Sequence, residues 1–192
     1  GGYADRLAIA AINGPTSVVL SGESSALADA LQSLTTRGIG TRLLPVQYAF
    51  HSPQMAPFAD ALVATLGGIT PKPTCLRLIS TVTGQPAAPG RDYDTAYWGR
   101  NVRESVRFAA AINVLLDDGI HAFVEIGPHP VLSANVRQCL DARGLSGAVA
   151  HSLRRGQPER PTVLANLGTL FANGCRVDWE RHHAEPGRVV EL

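Results

Sequence analysis

Apolar and polar positions follow two different periods along this chain, and each change of period marks out an element. Leu7-Ala8-Ile9-Ala10-Ala11-Ile12 is a short apolar run, Asn13-Gly14-Pro15-Thr16 supplies turn chemistry, and Ser17-Val18-Val19-Leu20 is rich in β-branched residues. Together they predict two strands joined by a turn. Ser21-Gly22-Glu23-Ser24 then offers capping residues ahead of Ala26, Leu27, Ala30, Leu31 and Leu34, which recur at helical spacing. Gly38 and Gly40 close that helix, and Thr41-Arg42-Leu43-Leu44 predicts another strand. Strand, strand, helix, strand is most of a small ferredoxin-like α+β sandwich that lacks its first elements.

Further along, Ser52-Pro53 can open a helix that carries Met55, Phe58, Leu62 and Leu66 inward. Leu76 to Ser80 predicts a strand, and Gly84-Gln85-Pro86 a turn after it. Tyr97-Trp98 begins a helical region whose apolar face continues through Val106, Ala110 and Leu115. Ala122 to Ile126 is the best strand pattern in the chain, followed by a helix from Val131 to about Leu140 and a short strand near Val149. Strands alternating with helices predict an α/β layer. Arg154 to Pro161 turns charged and Pro/Gly-containing, as linkers do. Val163 to Phe171 predicts a last amphipathic helix, with Val177-Asp178-Trp179 as a short apolar anchor.

Composition narrows the function classes. Hydrophobic residues make up 45% and charged residues 17%, the balance of a globular chain with a core. A formal net charge of +1 gives no electrostatic case for nucleic acid or an anionic membrane surface. No apolar run approaches the roughly 20 residues of a membrane span, and the opening Gly-Gly-Tyr-Ala-Asp is not a signal peptide. The sequence does not begin with Met, which fits a piece of something longer. Cys75, Cys139 and Cys175 are odd in number and widely spaced, so no disulfide framework is expected and a reducing cytoplasm is the simplest setting. Cys175 lies near His182 and His183, but the polar, Pro- and Gly-flanked context favours surface residues over a metal site.

Among six histidines, His51 stands apart. It falls in a short segment between a predicted strand and a predicted helix, where reactive side chains tend to be displayed. A neutral imidazole there could take a proton from a serine hydroxyl if a third group fixed its tautomer. The alternative is a structural histidine that caps a helix or is half-buried. A base needs a nucleophile, yet no serine has glycines at both −2 and +2, and Gly144-Leu145-Ser146-Gly147 has the wrong spacing for a strained elbow. Ser52 adjoins His51, a poor arrangement for a nucleophile and its base. The cysteines fall in apolar or helical surroundings, so no activated thiolate is expected. Glu125-Ile126-Gly127-Pro128-His129-Pro130 ends a strand in a rigid corner, which could present a carbonyl to an imidazole Nδ1–H or could be a plain strand-to-helix turn. Arg100, Arg103 and Arg107 are partly in helical register and read as a solvated face.

Five segments together resemble the acyltransferase domains of type I polyketide synthases. They are Ala10 to Pro15 with Ser21-Gly22, the box Tyr48-Ala49-Phe50-His51-Ser52, Ser80 to Gly84, Tyr97-Trp98 with Asn101, and Phe123 to Leu132. The likeness covers about residues 7 to 153, and the rest resembles the linker that follows such domains. It implies the C-terminal part of an α/β-hydrolase-like acyltransferase core (48–153), part of an inserted ferredoxin-like subdomain (1–47) and a post-acyltransferase linker (154–192). In the family a serine in a GHSxG elbow attacks an acyl-coenzyme A thioester, and a histidine is the base. The acyl group then passes to the phosphopantetheine thiol of an acyl carrier protein.

The resemblance makes His51 the expected catalytic base and the backbone of Gly127, Pro128 and His129 the expected region that orients it. The serine, oxyanion-hole residues and carboxylate-pairing arginine are expected upstream of Gly1. Tyr48, Ala49 and Phe50 form the specificity box. Phe at the third position accompanies malonyl in this family, its ring taking the space an α-methyl needs, whereas Tyr at the first accompanies methylmalonyl. Malonyl is the expected extender, with methylmalonyl or another acyl group, or a non-catalytic structural fragment, as alternatives. The domain is expected to bind no cofactor of its own; malonyl-coenzyme A is the substrate. Expected partners are the carrier protein, an adjacent ketosynthase and the N-terminal half of the same acyltransferase. The chain alone is expected to be marginally stable, with the edges of the Ala122–Ile126 strand uncovered.

Overall fold

The computed structural model describes residues 6–88 and 92–182. They fall into two compact units, divided between Gly119 and Ile120. In the first, β1 (Leu7–Gly14) and β2 (Ser17–Gly22) form an antiparallel hairpin with an irregularity between Ile9 and Ala11. Helix α1 (Ser24–Thr36) follows and buries Ala26 and Ala30. These match the predicted strand, turn, strand and helix.

The strand predicted at Thr41–Leu44 does not form; the stretch is irregular, with Leu43 71% exposed. A strand is stable only against a partner, and β1 is already occupied on both edges. On one lies β2; on the other is the single residue Val106, which donates to the Ala10 carbonyl at 2.8 Å and accepts from the Ile12 N–H at 2.9 Å. That bridge also splits the helical face predicted from Tyr97 to Leu115. Helix α3 (Thr95–Arg103) ends at Glu104, whose backbone is extended, and α4 (Phe108–Asp117) starts only after Val106 has been spent on β1. The three arginines therefore do not share a helix: Arg100 and Arg103 lie in the last turn of α3, and Arg107 precedes α4.

A 3-10 turn at Pro53–Met55, opened by Pro53 as expected, runs into α2 (Ala56–Leu66). Helix α3 packs across α2 and is capped by Asp94, which accepts from the Tyr97 N–H at 2.7 Å. The strand predicted from Leu76 shortens to β3 (Ile79–Ser80), and Gln85–Pro86, predicted as turn, is its antiparallel partner β4. The reason is Ser80. Its hydroxyl accepts from the N–H groups of Val82 and Thr83, and its carbonyl from that of Gly84, so the chain reverses sooner than the apolar pattern suggests.

In the second unit β5 (Ala122–Glu125) pairs in parallel with β6 (Ala148–His151), Ala122 opposite Ala148 and Glu125 opposite His151. Helix α5 (Ser133–Ala142) connects them and buries Val136, Cys139 and Leu140. Ala148, Val149 and Ala150 are also buried, so this βαβ unit has its own core. Helix α6 (Glu159–Ala172) packs on β6 and begins inside the stretch read as linker. A short α7 (Trp179–His182) ends the described chain. Among the described residues no helix is long and apolar enough to cross a membrane.

Candidate active site

His51 occupies left-handed backbone, φ +57°, where few non-glycine residues sit. Two hydrogen bonds hold it there, and both run to the C-terminal end of α3. The His51 N–H donates to the Val102 carbonyl at 3.2 Å, and Nδ1 lies 2.9 Å from the Glu104 carbonyl oxygen. A carbonyl can only accept, so Nδ1 carries the proton and, in the neutral ring, Nε2 carries the lone pair. Among the described residues no hydrogen bond engages Nε2. The acceptor carbonyl belongs to the C-cap residue of α3, and His51 itself is half-buried. The Glu104 carbonyl also presents partial negative charge to an imidazole that becomes positive on accepting a proton.

The segment before it is braced by Ser52, only 2% exposed, whose hydroxyl donates to the Ala49 carbonyl at 2.6 Å. That bond closes the turn and leaves Ser52 unfit as a nucleophile. Tyr48 and Phe50 project from it, 61% and 46% exposed, with ring centroids 5.8 Å apart. Ala49 between them is half-buried.

The partner of Nδ1 corrects one expectation. Gly127, Pro128 and His129 were expected to orient the imidazole, but the acceptor is Glu104, which nothing in the residue pattern singled out. A group that acts through its backbone carbonyl leaves no side-chain signal. Gly127 lies in the second unit and is bonded within it: its N–H donates to Ser152 Oγ at 2.9 Å and its carbonyl accepts from the same hydroxyl at 3.1 Å. His129 Nδ1 accepts from the Arg155 N–H at 3.4 Å.

Glu125, at the end of β5, is a second residue whose part was not foreseen. Its carboxylate accepts from the N–H groups of Val131, Leu132 and Ser133 and from the Ser133 hydroxyl, at 2.6–3.2 Å. Burial pushes its pKa up, but the Ser133 hydroxyl and the three N–H groups outweigh that and hold it below the usual carboxylate value. Glu125 thus fastens the Gly127–Pro130 corner to the start of α5.

Other candidate groups are committed elsewhere. Ser80 Oγ and the Tyr97 hydroxyl form a buried hydrogen bond of 3.0 Å. Tyr93 stacks on Tyr97, and burial together with a hydrogen bond to Tyr97 pushes its phenol to about 12, leaving it protonated at neutral pH. Cys139 is buried, which pushes its thiol up, whereas Cys75 is exposed and Cys175 half-buried. Among the described residues no three His, Cys, Asp or Glu side chains are placed to hold a metal; His183 lies outside the described residues.

Known proteins agree with this architecture. A family model described as "Acyl transferase domain" matches residues 3–177. The chain is 41% identical over 186 residues to polyketide synthase GfsA of Streptomyces halstedii, covering 96% of this chain and 2% of that protein. It is 39% identical over 196 residues to erythronolide synthase EryA3 of Saccharopolyspora erythraea, covering 100% of this chain and 6% of that one. The crystal structure of the acyltransferase domain from module 8 of the salinomycin polyketide synthase superposes with a TM-score of 0.88 at 38% identity, covering 93% of this chain and 42% of the other. The chain thus spans less than half of the solved domain and a small part of the synthases it matches. It has the α/β acyltransferase fold and belongs to the acyltransferase domain family of polyketide synthases.

Proposed function

We propose that this chain supplies the general base of an acyltransferase that moves a malonyl unit from coenzyme A to the phosphopantetheine thiol of an acyl carrier protein. The observation that carries the reading is the Nδ1 contact of His51 with Glu104, because it leaves Nε2 as the proton acceptor. The nucleophile is a serine on a segment outside this sequence, in keeping with the absence of a GxSxG elbow and the engagement of Ser52. Residues 1–47 then belong to the small ferredoxin-like subdomain, 48–153 to the hydrolase-like core and 154–192 to the linker.

In the first half-reaction His51 Nε2 takes the serine proton as the oxygen attacks the thioester carbonyl. The C–S bond breaks, and the leaving thiolate takes that proton to give free coenzyme A. In the second, His51 takes the proton of the phosphopantetheine thiol, whose sulfur attacks the acyl-serine ester. The C–O bond breaks and the serine oxygen recovers the proton. No cofactor enters either step.

Phe50 supports malonyl because its ring fills space that an α-methyl would need, and Tyr48 packs against it. One methyl is worth only about 1–3 kcal/mol in such a pocket, so other residues share the selection. Unpaired cysteines suit a cytoplasmic synthase. An adjacent ketosynthase and the N-terminal half of the acyltransferase are the remaining partners.

Intact-mass spectrometry tests the proposal. This chain and a longer polypeptide that adds the upstream half are each incubated with malonyl-coenzyme A. A malonyl adduct on the longer polypeptide alone, lost with His51→Ala, is the expected result. An adduct on the short chain overturns the assignment of the nucleophile, and an undiminished adduct with His51→Ala overturns that of the base.

A further inference from the structure

We propose that Gly99 is a positioning residue for His51, acting through the crossing of α2 and α3. The inference rests on His51 as the base. His51 is tied to both helices in different ways. Through Ser52 and the Pro53–Met55 turn it leads directly into α2, while its N–H and its Nδ1 are bonded to Val102 and Glu104 at the end of α3. Any change in how the helices cross therefore moves the ring relative to the carbonyl that sets its tautomer.

The two helices meet tightly at Gly99. A Cβ at this buried position would lie 2.6 Å from Val63 Cγ2, with the Ala59 carbonyl at 3.7 Å. Ordinary carbon contacts begin near 3.4 Å, so a methyl there forces Val63 or the helix to yield by most of an ångström. Glu104 follows five residues later, as the C-cap residue just past the end of this short helix. A hydrogen bond of 2.9 Å does not survive a displacement of that size. Gly99 is thus suited to its place by the side chain it lacks, and Val63 is the group that reads its absence.

The test needs no substrate, so it stands apart from the acyl-transfer reading. On this chain with ¹⁵N-labelled histidine, long-range ¹H–¹⁵N spectra report which ring nitrogen of neutral His51 holds the proton. In the unaltered chain it is Nδ1. With Gly99→Ala the population shifts toward Nε2–H, the tautomer that free imidazole prefers in water, and in the double variant Gly99→Ala/Val63→Ala it returns to Nδ1–H. In the complete acyltransferase the same series lowers and then restores kcat for self-acylation, with KM unchanged. If Gly99→Ala does not fold, Val63→Ile narrows the same contact from the other side, and a shift in the same direction is expected. A folded Gly99→Ala or Val63→Ile chain with an unaltered tautomer, or a folded double variant that fails to restore Nδ1–H, overturns the proposal. If the tautomer follows the prediction while kcat does not, the crossing does position the ring and it is the role of His51 in acyl transfer that fails.

Discussion

The Nδ1 of His51 lies 2.9 Å from the carbonyl oxygen of Glu104, and that one contact decides which nitrogen of the ring can accept a proton. It spans 53 positions of sequence, and the remaining features of the site are best judged by whether they protect it.

Removing the imidazole should separate catalysis from folding. His51→Ala in the complete domain is expected to lower self-acylation by about 10²–10⁴-fold while the circular dichroism spectrum is unchanged. His51→Gly should be equally inactive but more stable than His51→Ala by about 1 kcal/mol, since glycine adopts φ +57° without the penalty that a Cβ brings. Urea midpoints of the two variants give the comparison; equal midpoints mean that the backbone there is not strained.

Phe50 is predicted to act as a steric filter. Phe50→Ser should raise methylmalonyl transfer relative to malonyl by about 10-fold or more in competition between the two coenzyme A esters. An unchanged ratio removes this side chain from the account of selectivity.

Glu125 should make stability pH-dependent in a defined direction. Its folded pKa is depressed, so its contribution is fully present above the unfolded carboxylate value and is lost as pH falls through the folded one. Glu125→Ala strands three N–H groups at the start of α5 and is expected to cost about 1–3 kcal/mol at pH 7. Denaturation at pH 7 and at pH 3 should show the gap from the unaltered chain shrinking at the lower pH. A gap that stays constant would mean the carboxylate charge has no part in it.

The pair Ser80–Tyr97 is expected to be coupled. Ser80→Ala removes the acceptor for Val82 and Thr83 as well as the partner of the Tyr97 hydroxyl, and should cost about 1–3 kcal/mol. Tyr97→Phe should cost less. A double-mutant cycle is expected to give an interaction of about 1 kcal/mol, and strictly additive losses would show that the 3.0 Å contact is energetically idle.

Much of this fold was legible where a segment could form from its own residues and bury one face. The hairpin 7–22, helix 24–36 and the βαβ unit around Ala122–Glu125 and Ala148–His151 are such segments. Reading failed where a distant partner decides. Thr41–Leu44 has strand chemistry but pairs with no strand among the described residues, and Gln85–Pro86 becomes a strand because the Ser80 hydroxyl tightens the preceding turn. At the site, His51 could be picked out only through the resemblance of the 48–52 box to the family, since its position alone suits a structural histidine as well. Glu104 could not, since it contributes a peptide oxygen that every residue possesses.

The bridge between Val106 and β1 gives that oxygen its setting. Upstream, Glu104 is anchored where its N–H closes the last turn of α3 on Arg100; downstream, Val106 is fastened to Ala10 and Ile12. Only Ser105 separates the carbonyl's residue from the second anchor. The side chain at 104 is therefore open to exchange for anything that tolerates extended backbone, while the count of residues between Arg103 and Val106 is not. A single insertion or deletion there would leave every named side chain in the sequence and still turn the His51 ring to the other tautomer.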